Sequence, residues 1–438
     1  PLSAETNRLK PFYKNGKIRN GCWGFGVWEA DLYEPSQVVA QPMASVLETG
    51  CARDTVYFDD YSVVNHDGAT WAWSFTPAPQ FVSATNTRNP KVVFGQGGDY
   101  TATLTLNGIY QKSLIIKVEN GCNADSVPGQ ALTLDGNGDY AAATESLNLN
   151  SNTVTLTAWI KRQGQQNDFA GILFARGGNT TTGLSITSNN ELRYHWNDSG
   201  WSFNSGQTVP DGEWTHVALV VSALNAKIYL NGVAATNEQL HLKEEWDAPL
   251  QIGYDNGDRY FKGQIDEVTV WKKALTQNEI RELMHLTKVP ANHPNLVSYY
   301  QFNEASGRVL DRVGTRHASL AGNATRIPST VAVGPGASAR RPFSPFATVP
   351  FTGTGATLKF IDYPVTLQGE VCVTRINLLP DVSPMGDTVS RSYWVARPYA
   401  NEPSGGYVFE MQFENIGTAP AAEPAGAYKL WHRAANGE

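Results

Sequence analysis

The sequence has few charged residues and no run of one sign. Lys, Arg, Asp and Glu make up 17% of its 438 residues, against about 25% in an average soluble protein. The chain has 34 Lys and Arg and 41 Asp and Glu, which gives a formal net charge of −7. Nucleic acids and anionic membrane surfaces bind through clustered positive charge. Both are therefore poor partners for this chain.

Long apolar runs and helical patterns are also scarce. No window approaches the roughly 20 apolar residues of a membrane-spanning helix, and the mean hydropathy is −0.33. The one convincing helical pattern covers residues 276–288. There Thr276 and Glu279 have the spacing of a capping box, and an apolar stripe begins at Ile280. We predict one short helix near 276–288 and no membrane insertion.

Cysteine is rare in this sequence. The chain has four cysteines, Cys22, Cys51, Cys122 and Cys372. They are too far apart for a CxxC metal or redox motif, and four cysteines allow three pairings. Cys51 and Cys122 bracket one apparent domain, so a disulfide between them is our first choice. Free thiols that pack as small hydrophobic residues are the alternative.

The residues that are abundant indicate β-structure. Aromatic residues make up 11% of the chain, and 40 glycines and 24 prolines supply frequent turns. Short alternating runs occur at 101–106, 154–160 and 227–230, and the last is followed by the hairpin signal Asn231-Gly232. Helices between the strands are missing, which argues against a parallel sheet. The predicted fold class is all-β, built as tandem β-sandwiches.

Three breaks in composition divide the chain. Residues 34–42, 120–128 and 326–344 are linker-like in composition. The chain opens with Pro1 and has no signal peptide, so we expect a processed or excised piece. The expected parts are a remnant of a preceding β domain with a linker at 1–44, domains at 45–122 and 123–328, a linker at 329–344, and an incomplete C-terminal β-sandwich at 345–438.

Residues 45–122 carry landmarks of a small sandwich. The pattern WxWxF at 71–75 puts three aromatic rings on one face, a turn with Asn-Pro follows at 89–94, and a long alternating run covers 98–106. This order closely resembles the PKD domain, an immunoglobulin-like sandwich. The resemblance implies a spacer or adhesion module with no chemistry of its own. The acidic turn usual in that family is replaced by residues 76–79, which argues against an ion there.

Residues 123–328 contain five landmarks in a characteristic order. They are 132–140, 155–160, 212–217, 228–232 and 261–271. Together they resemble the laminin-G-like, concanavalin A-like jelly roll of bacterial surface proteins. The resemblance implies two curved antiparallel sheets, with the short helix following the last landmark.

The same resemblance implies a structural calcium ion. Asp135, Asp139, Asp266 and Glu267 supply oxygens at positions where the family often holds Ca²⁺, which takes about six to eight oxygen ligands. One alternative is that Asp135 and Asp139 form Asx-turns and that Asp266 forms a salt bridge. Another is that the ion is held by acidic loops that contain Asp198, Asp255, Asn256 and Asp258.

An aromatic hairpin is the candidate glycan site. It contains Tyr194, Trp196 and Trp201, and exposed rings of this kind stack on sugars in carbohydrate-binding modules of this fold. Alternation places Tyr194 and Trp196 on one face and His195 on the other. Aromatic core residues are the alternative reading of the same pattern.

Both ends of the chain suggest an exported bacterial protein. Residues 1–33 are similar to the closing stretch of a β-propeller in secreted Bacteroidota proteins; a hairpin docked on the next sandwich is the alternative. Residues 345–438 resemble domains that follow laminin-G-like modules in proteins exported by type IX secretion. Thr55, Ser126 and Thr388 match a Bacteroidota O-glycosylation pattern, with ordinary turn residues as the alternative.

The sequence carries no convincing catalytic constellation. HExxH, GxSxG and Walker motifs are missing. Strand alternation puts Asp266 and Glu267 on opposite faces, which is wrong for a glycosidase that works with two carboxylates.

We therefore predict a non-catalytic, extracellular segment of a large multidomain bacterial surface protein. It would serve adhesion or spacing, with glycan binding by the jelly roll and with glycans or other surface proteins as partners. The alternative is an accessory region of a secreted hydrolase whose catalytic domain lies outside these residues.

Overall fold

The fold is described from a computed structural model of the chain. The described residues are 6–12, 16–22, 26–31, 38–65, 67–119, 129–150, 153–177, 180–196, 202–240, 245–304, 306–344, 347–362, 368–380, 392–400, 408–413 and 432. The chain divides into two compact units, unit 1 (Pro1–Asn123) and unit 2 (Ala124–Glu438).

The described residues of unit 1 form three sheets. The first is antiparallel and consists of β1 (Thr6–Phe12), β2 (Lys17–Cys22) and β3 (Gly26–Asp31), in that order. The second consists, in spatial order, of β5 (Glu48–Thr49), β11 (Tyr110–Val118), β10 (Gly98–Leu106) and β7 (Trp71–Thr76). The third consists, in spatial order, of β4 (Pro42–Ala44), β6 (Thr55–Asp60), β9 (Lys91–Val93) and β8 (Phe81–Val82).

The two four-stranded sheets of unit 1 pack around an aromatic core. Trp73 is buried, and Trp71 and Phe75 pack against the same core from the same side of β7. The ring of Phe58, on β6 of the facing sheet, lies 5.3 Å from those of Trp73 and Phe75. The predicted sharing of one face by the WxWxF rings is therefore confirmed. Membership of this sandwich in the PKD family stays a prediction.

Unit 2 begins with a jelly roll of two large sheets. The eight-stranded sheet consists, in spatial order, of β22 (Val233–Leu240), β21 (Asn225–Leu230), β20 (Trp214–Val221), β15 (Val154–Arg162), β25 (Lys262–Trp271), β12 (Gln130–Asp135) and β28 (Thr325–Pro328), with β26 (Leu296–Tyr300) also paired to β25. The seven-stranded sheet consists, in spatial order, of β19 (Ser202–Thr208), β18 (Glu191–His195), β17 (Thr180–Ile186), β16 (Ala170–Gly177), β24 (Pro249–Ile252), β13 (Tyr140–Ser146) and β27 (Ala318–Ala321). A short pair, β14 (Leu149–Asn150) and β23 (Glu245–Trp246), accompanies them.

The two large sheets enclose the main apolar core. Leu156, Ala158 and Ile160 of β15 point inward and are fully buried, as are Leu184 and Ile186 of β17. The residues between them on β15 point to the outer face of the eight-stranded sheet, and they are buried too. A second layer therefore covers that outer face.

Part of the second layer is the helix α1 (Gln277–Leu283), the only α-helix in the part of the chain that the structure describes. Thr276 caps it, and the capping box with Glu279 is present on both sides, as predicted. The helix ends before the predicted limit of residue 288. The chain beyond it pairs with residues 332–334 instead, because Thr287 N donates to Gly334 O (3.0 Å) and Gly334 N donates to His285 O (3.1 Å). A 3-10 turn, Pro290–Asn292, follows.

The rest of the second layer is a C-terminal β-sandwich. One three-stranded sheet consists of β29 (Gly336–Pro342), β32 (Gly369–Ile376) and β33 (Tyr393–Ala400), in that order; the other consists of β30 (Thr348–Phe351), β31 (Ala356–Asp362) and β34 (Val408–Phe413). On β32, Val371 and Val373 face the core of this sandwich, whereas Cys372 packs with Trp159 and Met284. The strand has no polar face because both of its faces are covered.

The predicted linker at 329–344 is corrected by this packing. Val331 and Val333 are fully buried in the layer against Trp159, and residues 336–342 form β29. Composition suggested a loose segment because small residues and proline are common in linkers. Here the small residues allow close packing between two modules. The predicted all-β class, with sandwiches and one short helix, is confirmed.

Candidate functional site

The outer face of the seven-stranded sheet differs from the outer face of its partner sheet, because polar and partly exposed side chains occupy it. Along β18, Leu192 and Tyr194 point into the main core. Arg193 and His195 therefore point outward, since side chains alternate along a strand. Tyr194 and Trp196 are only 0% and 3% exposed.

This burial corrects the predicted glycan site for two of its three rings. Tyr194 and Trp196 stack on each other at 4.9 Å inside the main core, so neither ring is available to a sugar. Alternation predicted that they share a face, but it could not tell the buried face from the exposed one. Trp201 lies outside the described residues, and its role stays a prediction.

Two strands place rings and cations on the outer face. Phe174 and Arg176 of β16 point the same way, with the Arg176 guanidinium 5.6 Å from the centre of the Phe174 ring. The His195 ring lies 6.1 Å from Phe174 at an angle of 28°. Gly183 makes room for this stack, because a Cβ there would come within 2.5 Å of the Phe174 ring. The ring therefore lies close against the sheet.

Residues 254–260, between β24 and β25, form a loop that packs closely against β16. Gly171 N donates to Arg259 O (3.1 Å), and a Cβ at Gly171 would collide with the backbone of Tyr254. Asp255 is 2% exposed. Its carboxylate accepts hydrogen bonds from Arg176 Nε (2.8 Å) and Arg259 Nη1 (2.8 Å). This charge-assisted bridge fixes two guanidiniums in place.

Phe169 supports two of the guanidiniums. Its φ of 62° lies in the left-handed region, which bulky residues rarely adopt and which costs of order 1–3 kcal/mol. Arg193 lies 4.2 Å and Arg259 lies 5.4 Å from the centre of the Phe169 ring, within the range of a cation–π contact. We call the set the outer-face patch; it consists of Phe169, Phe174, Arg176, Arg193, His195, Asp255 and Arg259.

Three tyrosines form a second group, two of them in the same loop as Asp255 and Arg259 and the third on β13. The ring of Tyr254 lies 4.5 Å from that of Tyr260 and 4.7 Å from that of Tyr140 on β13. All three are half-buried. Each has an apolar ring and a hydroxyl that can donate or accept a hydrogen bond.

The electrostatics of the outer-face patch are dominated by cations. Burial lowers the pKa of His195 to about 4; Asp255 opposes this shift, and Arg176, Arg193 and Arg259 add to it. The imidazole is therefore neutral near pH 7. Burial likewise lowers the pKa of Arg193, Asp168 opposes that shift, and Arg259 adds to it.

The groups of the patch are suited to binding. Guanidiniums only donate hydrogen bonds, and the rings supply apolar surface. The carboxylate of Asp255 is held between two guanidiniums. The arrangement fits a ligand with both apolar faces and hydrogen-bond acceptors.

The predicted metal ligands fall in two separate places. Asp135 and Lys262 are partners across β12 and β25, so Asp266 lies four residues further along, roughly 13 Å away. Asp139 accepts hydrogen bonds from Asp135 N (3.2 Å) and Asn323 N (2.6 Å). Asp135 Oδ1 accepts from the Asn137 N–H (2.7 Å), as in an Asx-turn. A calcium ion stays a prediction, and the four residues do not form a single site.

The second place, Asp266 and Glu267, lies under the second layer. Each is 1% exposed. Ile265 and Val268 both belong to the main core, and a bulge between them gives Glu267 a φ of 51°. The prediction of opposite faces is therefore wrong, because the extra residue of the bulge leaves both acids on the side away from that core.

This acid pair has partners of its own. Ser329 donates to Asp266 Oδ2 (2.6 Å), and Tyr299 and Gln301 donate to the Glu267 carboxylate. Lys288 Nζ lies 4.0 Å from Glu267 Oε2 and is itself 3% exposed. Burial raises the pKa of Asp266 well above its usual value, and it raises that of Glu267 as well. A polysaccharide has no access to a pair this deeply buried.

The remaining predicted sites are tested only in part. Cys51 is disulfide-bonded, and Cys122 lies outside the described residues, so their pairing stays a prediction. Cys372 is a free, buried cysteine. Thr55 is exposed at the start of β6, whereas Ser126 and Thr388 lie outside the described residues; O-glycosylation stays a prediction for all three.

Sequence analysis missed the outer-face patch, although one signal for it was present. Alternation had already placed His195 opposite Tyr194, and Phe174 and Arg176 alternate in the same way along β16. The approach of residues 254–260 to this face has no local signal, because it depends on a contact between strands far apart in the chain. Within the described residues no helix has the length and apolar character needed to cross a membrane.

Comparison with curated proteins finds distant relatives. Mouse pappalysin-1 is 26% identical over 188 residues, which is 37% of this chain and 12% of pappalysin-1. Human adhesion G-protein coupled receptor D1 is 26% identical over 193 residues, which is 42% of this chain and 22% of the receptor. The chain thus spans less than a quarter of either relative, and their activities do not transfer to it.

Comparison with solved structures finds partial likenesses. A candidate carbohydrate-binding protein from Bacteroides ovatus is 16% identical, with a TM-score of 0.39, and the match covers 69% of this chain and 95% of that one. Domain 4 of an extracellular arabinanase from Geobacillus stearothermophilus, solved with arabinotriose, is 25% identical with a TM-score of 0.30, covering 36% and 78%. A pentraxin from Limulus polyphemus is 14% identical with a TM-score of 0.34, covering 47% and 96%. None of these likenesses identifies a ligand.

A family model matches the jelly roll itself. The match covers residues 135–281 and is to a laminin-G-like family described as the concanavalin A-like lectin/glucanases superfamily. The matched range includes every residue of the outer-face patch. Residues 135–281 are therefore a laminin-G-like, concanavalin A-like domain.

Proposed function

We propose that this chain is a non-catalytic, extracellular segment of a large multidomain bacterial surface protein, and that its jelly roll binds glycans on the outer-face patch. The observation that carries the proposal is the patch itself. It combines the half-buried ring of Phe169 with guanidiniums held by Asp255 and Phe169, while the fully buried ring of Phe174 supports Arg176 from below. Sugars need both an apolar ring for their C–H face and fixed donors for their oxygens.

The family match supports a binding role for this face. The concanavalin A-like superfamily includes lectins and glucanases, so fold alone leaves both open. The deep burial of Asp266 and Glu267 favours the lectin side, because that acid pair is closed to a substrate. The same binding role would serve an accessory region of a secreted hydrolase.

An extracellular location has independent support from cysteine chemistry. Cys51 is disulfide-bonded, and disulfides persist mainly in oxidising compartments. Export by type IX secretion and an origin in Bacteroidota rest on the resemblances at the two ends of the chain. Adhesion and spacing by unit 1 rest on its resemblance to PKD domains.

The test is binding of the full chain to a panel of immobilised plant, bacterial and host polysaccharides. Tyr254→Ala removes one ring of the tyrosine group, and Phe169→Asn removes the ring under Arg193 while keeping a residue that tolerates the left-handed φ. We expect each change to weaken binding of the best glycan about tenfold, equivalent to about 1.4 kcal/mol.

Tyr57→Ala is the matched control, because Tyr57 is an exposed tyrosine of unit 1, 53% accessible, and lies outside the patch. Its glycan affinity should equal that of the unmodified chain. Thermal melting checks that each variant is folded. The proposal fails if no polysaccharide binds, or if Tyr57→Ala weakens binding as much as Tyr254→Ala.

A further inference from the structure

We propose that the outer-face patch selects acidic glycans, holding a carboxylate or sulfate of the sugar beside His195, between Arg176 and Arg193. This inference rests on the proposed function and names the chemistry of its ligand. The anionic group is the shared feature, and it can belong to a uronic acid or to a sulfate ester.

The balance of charge in the patch is the first argument. Four charged side chains act on His195; Arg176, Arg193 and Arg259 are cations, and Asp255 is the one anion. His195 itself is neutral near pH 7. Asp168 acts on Arg193 as a second anion, so three cations face two anions here, whereas the whole chain carries a net charge of −7.

The geometry of the cations is the second argument. Arg193 and Arg259 share the ring of Phe169, at 4.2 and 5.4 Å, and Arg259 disfavours the charge on Arg193. Like charges this close repel each other, and a bound anion would relieve the repulsion. Asp255 compensates Arg176 and Arg259 directly. Arg193 interacts with Asp168, whose carboxylate also accepts a hydrogen bond from Ser188 N (3.1 Å).

Pre-organisation is the third argument. A guanidinium has five N–H donors, and Asp255 engages only some of those on Arg176; a further one reaches Thr181 Oγ1 at 3.3 Å. Arg193 and Arg176 also lie over the rings of Phe169 and Phe174, at 4.2 and 5.6 Å from the ring centres. Arginines held in this way lose little entropy when they bind a planar carboxylate. This arrangement requires the strained, left-handed φ of Phe169.

The test compares polysaccharides that share a backbone and differ in whether they carry anionic groups. Binding of the full chain is measured for polygalacturonate and for its methyl ester, and for dextran sulfate and dextran. We expect the acidic member of at least one pair to bind at least tenfold more tightly than its neutral partner. Binding should weaken as sodium chloride rises, because salt screens exposed charges.

Two variants and a control locate the effect. Arg193→Gln should weaken binding of the acidic ligand about tenfold, and Arg193→Lys, which keeps the charge, should restore part of it. Arg19→Gln is the matched control, because Arg19 also lies over a phenylalanine ring (4.4 Å from Phe12) and pairs with an acid, Glu29 (2.7 Å). It lies in unit 1 and should leave binding unchanged.

The outcomes separate this inference from the proposed function. If the charged and neutral members bind equally and Tyr254→Ala loses binding to both, the acidic preference is overturned. Glycan binding itself is then still supported. Loss in Arg19→Gln equal to that in Arg193→Gln also overturns the preference, since non-specific ion exchange would explain both. Absence of binding to any polysaccharide overturns the proposed function and this inference together.

Discussion

The outer faces of the two jelly-roll sheets differ, because one is covered and the other is partly exposed. On the eight-stranded sheet, the outward residues Trp159 and Trp271 are 4% and 3% exposed, because α1 and the C-terminal sandwich cover them. On the outer face of the seven-stranded sheet, the side chains of Arg176 and of Arg259, which lies in the loop against this face, keep 27% and 41% of their surface exposed. The same alternation of side chains thus leads to a buried interface on one sheet and to a candidate binding surface on the other.

The comparison extends to the charged groups on each face. On the covered face, Asp266, Glu267 and Lys288 are almost fully buried, and both acids interact electrostatically with Lys288. On the exposed face, Asp255 is buried but its arginines reach solvent. Buried charges are costly unless they are paired. The covered cluster is therefore part of the packing interface, whereas the exposed cluster is the candidate for contact with a ligand. Three predictions test this contrast, ordered from the largest expected effect to the smallest.

Trp159→Ala should have the largest effect on stability. The indole is buried against Met284, Val331 and Cys372, and its Nε1 donates to Met284 O (2.8 Å). We expect the free energy of unfolding to fall by about 4 kcal/mol, the range for a large aromatic residue truncated in a core. Chemical denaturation followed by tryptophan fluorescence measures it.

The matched change on the exposed face is Tyr254→Ala. It should lower the free energy of unfolding by about 1 kcal/mol or less, as for half-exposed positions. Equal losses for the two variants would contradict the view that only one outer face is a packing interface.

Lys288→Met should destabilise the chain by about 3 kcal/mol near pH 7.5, because it leaves Glu267 charged and buried without its cation. The double variant with Glu267→Gln should recover part of the loss. On the exposed face, Arg259→Gln should cost about 1 kcal/mol or less, because Arg176 still pairs with Asp255. Urea titrations of the three variants give these values, and a loss in Arg259→Gln as large as in Lys288→Met would refute the contrast.

His285, on the covered face, should make the free energy of unfolding depend on pH. Burial lowers the pKa of His285 to about 4, and its Nδ1 lies 2.8 Å from Ala332 O. Between pH 6.5 and about 4 the unfolded chain binds a proton at this position and the folded chain does not, so the free energy of unfolding falls as pH falls. We expect His285→Gln to reduce that fall by about 2–3 kcal/mol.

The same experiment on the exposed face uses His195→Gln. Its imidazole is partly exposed, so solvent screening should make the change in the acid-dependent fall smaller. Thermal melts at half-unit steps between pH 4 and 7.5 compare the two variants. An unchanged pH profile for His285→Gln would show that the second layer does not hold this histidine neutral.

Local features of the fold were predictable from the sequence. Asn231-Gly232 forms the predicted tight turn, with φ of 51° and 75°, because few other residue pairs tolerate two left-handed positions. Thr276 and Glu279 form the predicted capping box. These features depend on neighbours within a few residues, which is why a single sequence reveals them.

Other features depend on contacts between distant residues, and prediction failed or was silent there. The bulge at Glu267 reverses the expected face of one acid, since nothing in the strand pattern marks the extra residue. The prediction of a sugar platform at Tyr194 and Trp196 selected the buried face of β18, because alternation fixes which residues share a face and not which face is covered. The contact of Asp255 with Arg176 joins residues 79 positions apart.

The amino-acid sequence alone determined the all-β class, the alternating strands and the helix start, because these follow from local periodicity and turn chemistry. The laminin-G-like character of the middle of the chain came from its resemblance to a known family. Only the tertiary structure decided which outer face is covered, where the acids lie and which arginines meet. Those outcomes depend on how separate strands and modules pack, and packing sets both burial and the strength of every charge interaction.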